Sequence, residues 1–219
     1  MFIKALIAVR SGSLRLENKN LRPFAGSNLL QIKIEQLKRI KSLSGIIVNS
    51  NDDDMLNLAE KLGCEPVKRE PYFASNTVSM SEVYEDMAKN FNSDYICYAN
   101  VTNPLIKDIT IENAIEEFKK NIDKYDSLNT AHLVKEFLFL DNKPINYELD
   151  KQPRSQDLPD ISALNFAINI LHRETMIKHK NVVSSKPQIY LIDDIEATDI
   201  DNPIDFSFSE FVYNINNKI

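Results

Sequence analysis

The chain has 219 residues, 43% hydrophobic and 26% charged, a balance that fits one α/β domain with a real core and excludes a disordered or fibrous chain. Four glycines and nine prolines argue against a long flexible linker, and a net charge of −6 disfavours nucleic acid or an anionic membrane as a bulk partner. No stretch approaches the roughly 18 apolar residues needed to span a bilayer.

Phe2–Val9 is a near-continuous apolar run, as expected of a strand buried on both faces of a parallel sheet. It is too short for a signal peptide and lacks a small-residue cleavage site, which predicts a cytoplasmic protein. Leu29, Leu30, Ile32, Ile34, Leu37 and Ile40 recur at helical spacing and predict a helix over 28–41. Gly45–Ser50 reads as a strand, and Asp52, Asp53 and Asp54 then open a helix that runs to Lys61, with Gly63 ending it. Glu65–Lys68 reads as a short strand, Ser79–Phe91 as a helix and Asp94–Ala99 as a strand. Ile111–Asn121 reads as a helix and Ser127–Val134 as a strand. This alternation predicts βαβ units and a three-layer, mostly parallel, Rossmann-like sheet in a single domain. Residues 135–163 break the rhythm with a predicted hairpin, Phe137–Leu140 and Ile145–Tyr147 joined by Asp141-Asn142-Lys143-Pro144, and a polar, proline-bearing stretch to Pro159. Strands at Ala163–Leu171 and Gln188–Ile192 and a helix near Phe206–Ile215 complete the chain. Cys64 and Cys97 lack metal spacing and read as reduced core thiols.

Two segments carry chemistry. Arg10-Ser11-Gly12-Ser13-Leu14-Arg15-Leu16-Glu17-Asn18-Lys19-Asn20 follows the first strand, where open α/β sheets bind ligands. Gly12 allows close backbone approach, Ser13 can donate a hydroxyl, and the cations offset phosphate charge. The segment is neither a Walker A loop nor the dinucleotide fingerprint, because the glycines are missing; the alternative is a solvated basic loop. Asp199-Ile200-Asp201, on an extended backbone, sends both carboxylates to one side about 7 Å apart. Such hard oxygen ligands suit Mg²⁺; the alternative is that aspartates near Pro203 start the last helix, which suits Asp205 better. His132, His172 and His179 share no ligand spacing.

The Arg10-x-x-Ser13 segment with Lys19-Asn20, followed by Leu21–Gly26 and a helix, resembles the N-terminal signature of acylneuraminate cytidylyltransferases, the enzymes that make CMP-sialic acid and related CMP-nonulosonates. Arg69 with Phe73–Ser79 is similar to the family's nucleotide-proximal segment, Asn100–Leu105 to its active-site turn, and Pro153–Pro159 with Asn165 to its sugar-binding stretch. The resemblance implies catalytic roles for Arg10 and Lys19, and nucleotide contacts from Arg10, Ser11, Gly12, Ser13, Arg15, Asn20, Arg69, Ser75, Thr77 and Ser79. It implies sugar contacts from Asn100, Thr102, Arg154, Gln156 and Asn165, and Mg²⁺ held by Asp199 and Asp201. The implied partners are CTP, a small acidic sugar and a second copy of the chain, docked through the 135–163 insertion with Arg154 reaching across. Leu14, Asn100, Ile106, Phe166 and Asn169 depart from the family pattern. Ile106, Phe166 and Asn169 predict a smaller or differently decorated acceptor than N-acetylneuraminate. Rival readings are a nucleotide-sugar glycosyltransferase, whose acidic pair normally sits mid-chain, and a non-catalytic binding module.

Overall fold

The computed structural model of the protein describes residues 1–12 and 15–216. Strand β1 (Ile3–Ala8) is followed by a small hairpin, β2 (Pro23–Phe24) and β3 (Ser27–Asn28), turned by Ala25 and Gly26 at φ of 49° and 78°. Helix α1 (Leu29–Lys38) starts where the Asn28 side chain accepts from the Gln31 amide at 2.9 Å, which satisfies one orphan donor of its first turn. Then come β4 (Ile46–Ser50), α2 (Asp53–Lys61), β5 (Glu65–Lys68), the one-turn α3 (Pro71–Ala74), α4 (Met80–Lys89) and β6 (Tyr95–Ala99). Asp52 caps α2 through the Met55 amide at 3.1 Å, so the three aspartates are a helix start, as expected. Helix α5 (Asp108–Asn121) and β7 (Ser127–Val134) follow.

The insertion forms the hairpin β8 (Phe139–Leu140) and β9 (Lys143–Pro144). Asp141 and Asn142, at φ of 49° and 63°, make the two-residue turn, because these short polar residues tolerate the left-handed region. The chain ends with β10 (Ile161–His172), α6 (Arg173–His179), β11 (Pro187–Leu191) and α7 (Pro203–Asn216). The sequence pattern missed α6, whose seven residues are too few to display a helical period.

Among the described residues the central sheet has seven strands in the order β11-β7-β10-β6-β1-β4-β5. β10 alone runs against the others. Side chains alternate along β1, so Ile3, Ala5 and Ile7 join the core beneath α1 and α5, while Leu6 joins the opposite core with Val83 and Met87 of α4 and Met176 of α6. Those two cores are the outer interfaces of the expected three layers. From β1 the chain winds outward through β4 to β5, then returns to the other side of β1 as β6. The winding direction therefore reverses between β1 and β6, and their carboxyl ends splay into a crevice.

Candidate active site

Two cavities open at that crevice. One, of about 340 Å³, is lined by Val9, Arg10, Arg69, Phe73, Ser75 and Tyr98 among others. The second, of about 560 Å³, is lined by Arg10, Arg15, Lys19, Asn20, Asn100 and Thr102 among others. Arg10 borders both, so they form one continuous site.

The basic loop is exposed at Gly12, Arg15, Glu17 and Asn18 but is pinned to the fold at both ends. Asn20 is buried, and its amide donates to the Arg10 carbonyl at 3.2 Å. The Ser11 amide donates to Asn51 Oδ1 at 3.2 Å, and Asn51 Nδ2 donates back to the Ser11 hydroxyl at 2.9 Å. Asn51, at the end of β4, was not singled out from sequence. Gly12 has φ +83°, a conformation a side chain would strain, with no atom within 4 Å of an added Cβ. Ser13 lies outside the described residues. Arg10 donates from Nη1 to the Ala74 carbonyl at 2.8 Å, tying the loop to the last residue of α3.

Arg69 is buried in the smaller cavity's wall. Its Nε and Nη2 donate to the side-chain and main-chain oxygens of Asn49 at 2.6 and 3.1 Å. Burial lowers its pKa, with Tyr98 countering and Arg10 adding to the shift. Asn49, another residue not singled out from sequence, forms with Ser50 the polar end of β4. Ser75 and Thr77 pair through their hydroxyls at 3.1 Å. Ser79 caps α4 in a capping box with Glu82, so its hydroxyl is engaged in starting that helix.

The acidic pair faces the basic loop. Lys19 Nζ donates to the Ile200 carbonyl at 2.7 Å, and Arg15 Nη2 pairs with Asp201 Oδ1 at 2.8 Å. Burial lowers the Lys19 pKa, opposed chiefly by Asp199 and then Asp201. Asp199 is open to the crevice but crowded by protein. Lost hydration raises its pKa, a Thr102 side-chain hydrogen bond lowers it, and the charge of Asp201 raises it again. The backbone here is irregular rather than extended. It is held by the Ile200 amide donating to the Thr102 carbonyl at 2.8 Å and by Asn103 Nδ2 donating to the Thr198 carbonyl at 3.0 Å. Asp205 Oδ2 accepts from the amides of Asp201 and Asn202 at 2.9 Å each, so Asp205 belongs to the start of α7 as expected. Among the described residues no three His, Cys, Asp or Glu side chains form a metal cluster. The two carboxylates are thus a partial, all-oxygen donor set that phosphate and water oxygens could complete.

On the sugar side the expectations divide. Asn100 and Thr102 line the larger cavity. Asn165 lies at a bulge of β10, where Ala167 accepts from the Asn100 amide at 3.3 Å. Its Oδ1 accepts from Thr130 Oγ1 at 2.8 Å, while its buried Nδ2 has no partner among the described residues. Arg154 and Gln156 are not brought to either cavity. They sit in an exposed 3-10 turn, and Arg154 makes a bidentate pair with Asp157 at 2.6 and 3.2 Å. The acceptor argument from Ile106 and Asn169 is corrected. Ile106 is 2% exposed, and Asn169 is wholly buried with its Oδ1 accepting from Asn129 at 2.8 Å, so neither side chain can touch a ligand. Phe166, at φ 56°, packs against the core under α4 and α6.

Comparison with known proteins places this geometry. A family profile described as cytidylyltransferase matches residues 4–206. The chain is 27% identical over 231 residues to the CMP-N,N'-diacetyllegionaminic acid synthase of Legionella pneumophila, covering 100% of this chain and 99% of that protein. It is 24% identical over 228 residues to the pseudaminic acid cytidylyltransferase of Campylobacter jejuni, covering 97% of each. A solved CMP:2-keto-3-deoxy-manno-octonic acid synthetase complexed with CTP superposes with a TM-score of 0.74 at 12% identity, covering 100% of both chains, which shows a shared fold. No helix among the described residues is long and apolar enough to cross a membrane. With a profile match spanning almost its whole length, and with cations facing a carboxylate pair at the switch point of its sheet, the chain belongs to the cytidylyltransferase family.

Proposed function

We propose that the chain transfers CMP from CTP to the anomeric hydroxyl of an acidic keto sugar of the nonulosonate kind, releasing pyrophosphate. The observation that carries the proposal is the larger cavity, where Arg10, Arg15 and Lys19 converge opposite Asp199 and Asp201. The smaller cavity, walled by Arg69 and Tyr98, would seat the cytosine, with the phosphates running past Arg10 to Lys19. The anomeric oxygen attacks the α-phosphorus, the bond to the bridging oxygen of the β-phosphate breaks, and the hydroxyl proton passes to water. Arg10 and Lys19 orient the triphosphate and offset the charge that builds on its oxygens, and fixed cations in a partly dry site do this without reorganising. Asp199 and Asp201 would hold Mg²⁺, for which a pair of crowded carboxylates is a fitting donor set, and the ion would neutralise phosphate charge.

The relatives that act on legionaminic and pseudaminic acids support an acceptor of that chemical kind. A homodimer is part of the proposal. Phe139, Leu140, Ile145 and Leu149 of the insertion are exposed apolar side chains on a hairpin that is marginal alone. Its formation is checked by light scattering of the wild type against Leu140→Glu. A cytoplasmic location follows from use of CTP and agrees with the buried, unpaired Cys64 and Cys97. The test of the function is pyrophosphate release with CTP, Mg²⁺ and a panel of acids: pseudaminic, legionaminic, N-acetylneuraminic and octulosonic. Turnover with one of them is expected, and none with any of them at high enzyme concentration would overturn the proposal.

A further inference from the structure

Lys33 has no part in either cavity, yet it is wholly buried, and among the described residues no other lysine is. Taking an ammonium out of water is costly even after relaxation, so an unremarkable apolar residue would serve α1 better as packing. Its neighbours on the helix, Leu30, Ile34 and Leu37, show what the core accepts there. Lys33 Nζ donates to Gln36 Oε1 at 2.7 Å and to the Asn103 carbonyl at 3.0 Å. Gln36 in turn donates to the Ile106 carbonyl at 2.6 Å and to Asp108 Oδ1 at 3.2 Å, so α1 grips the turn after β6 at both ends.

That turn is the one that holds the acidic loop. Asn103, itself wholly buried, receives Lys33 on its carbonyl and sends its side-chain amide to the Thr198 carbonyl at 3.0 Å. One residue earlier, Thr102 bonds the Asp199 carboxylate through its hydroxyl and receives the Ile200 amide at 2.8 Å on its carbonyl. Ile200 then offers its own carbonyl to Lys19 at 2.7 Å. A path of hydrogen bonds joined by short backbone links thus runs from the buried Lys33 Nζ to the loop that carries Asp199 and to Lys19 facing it.

We propose that Lys33 is a positioning residue, whose ammonium, acting through Asn103, holds the 197–201 loop so that Asp199 and Asp201 are presented to Lys19 and Arg15. The proposal rests on the cytidylyltransferase reading of that loop. Lys33 never approaches the reacting atoms; it fixes the backbone from which they project, and a displacement of about 1 Å at a positioned group can cost on the order of 100-fold in rate. The bonds that pin the basic loop on the other side, Asn20 to the Arg10 carbonyl and Asn51 to Ser11, do not pass through it. Its loss should therefore fall on kcat rather than on the KM for CTP.

The experiment compares wild type, Lys33→Met, Asn103→Leu and the double variant. Methionine keeps the volume and removes the donor; leucine at 103 removes the amide that reaches Thr198 and leaves Lys33 in place. Each single variant is expected to lower kcat for pyrophosphate release at least about 10-fold with KM for CTP changed less than about threefold, and the double variant to be no worse than the poorer single, since both cut one path. Amide hydrogen exchange supplies a readout independent of turnover. In each folded variant the Ile200 amide should exchange at least about 10-fold faster, with core amides of β1 and β4 unchanged. Should Lys33→Met fail to fold, Asn103→Leu carries the same two readouts. Wild-type turnover with undiminished kcat and Ile200 protection in both single variants overturns this proposal while leaving the cytidylyltransferase reading intact. Additive losses in the double variant, or faster exchange spread across the whole sheet, would also overturn it. A wild type inactive with every acid overturns the reading and this proposal with it.

Discussion

Asp199→Asn separates what the acidic loop does for folding from what it does for catalysis. Asparagine keeps the size of aspartate and can still accept from Thr102, so the perturbation is the charge alone. In the wild type, lost hydration raises the Asp199 pKa, the Thr102 bond lowers it and the neighbouring Asp201 charge raises it, for a net upward shift from 3.8. A carboxyl whose pKa is higher folded than unfolded binds its proton more tightly in the native state. Its ionisation therefore costs stability above the folded pKa, and that cost disappears as the pH falls below the unfolded value. Removing the charge should raise the Tm at about pH 7 to 8, with the advantage fading toward about pH 4. Activity should move the other way. Asp199 would act through the Mg²⁺ it helps to hold, and weakening one preorganised stabiliser of developing phosphate charge costs about 10² to 10³ in kcat, about 2.7–4 kcal/mol. Lys19 would also lose the largest charge opposing its burial, so its pKa falls further and the residual activity should decline at a lower alkaline pH than in the wild type. Thermal unfolding across that pH range and continuous pyrophosphate release at saturating Mg²⁺ make the assay. Undiminished kcat, or a Tm that falls together with activity, would refute the reasoning.

Three further outcomes are expected. Arg10→Ala and Lys19→Ala should each raise the KM for CTP and lower kcat, since both line the larger cavity; unchanged constants in steady-state kinetics would reduce the loop to a basic surface. Asn49→Ala should destabilise the fold by about 1–3 kcal/mol, because it leaves the buried Arg69 guanidinium without its side-chain acceptor, and should weaken CTP binding by calorimetry. Lys33 gives a pH signature, since burial lowers its pKa from 10.5 to about 7, with Cys97 on β6 and Asp108 on α5 opposing the shift. Between those values the unfolded chain binds more protons than the native one, so this component of stability rises with pH across the window. Denaturant unfolding at closely spaced pH values should show that rise in the wild type and not in Lys33→Met.

Local signals carried much of this protein. The apolar run of β1, the 3.6-residue stripe of α1 and the aspartates before α2 each state their structure within a few residues, because period and capping are short-range properties. The hairpin was legible for the same reason, although its turn closes at Asp141-Asn142 and Lys143-Pro144, read as turn, pairs with Phe139-Leu140; the Arg10–Asn20 and Asp199–Asp201 segments announced themselves by charge against an acidic, otherwise ordinary chain. The tertiary structure decided what depends on distant partners. Ile106 and Asn169, read along the chain as departures that alter the acceptor, are core positions, because the fold buries them under segments remote in sequence. Arg154 pairs with Asp157 within its own turn, a local contact that the sequence did not single out. Asn49, Asn51 and Asn103 look unremarkable in sequence, and they matter only because β4 and the turn after β6 end beside the basic loop and the acidic one. Lys33 is the sharpest case. On a helical wheel it reads as a charge straying into an apolar stripe, and only the packing of α1 against the turn at Asn103, 70 residues away, shows the carbonyl it was buried to meet.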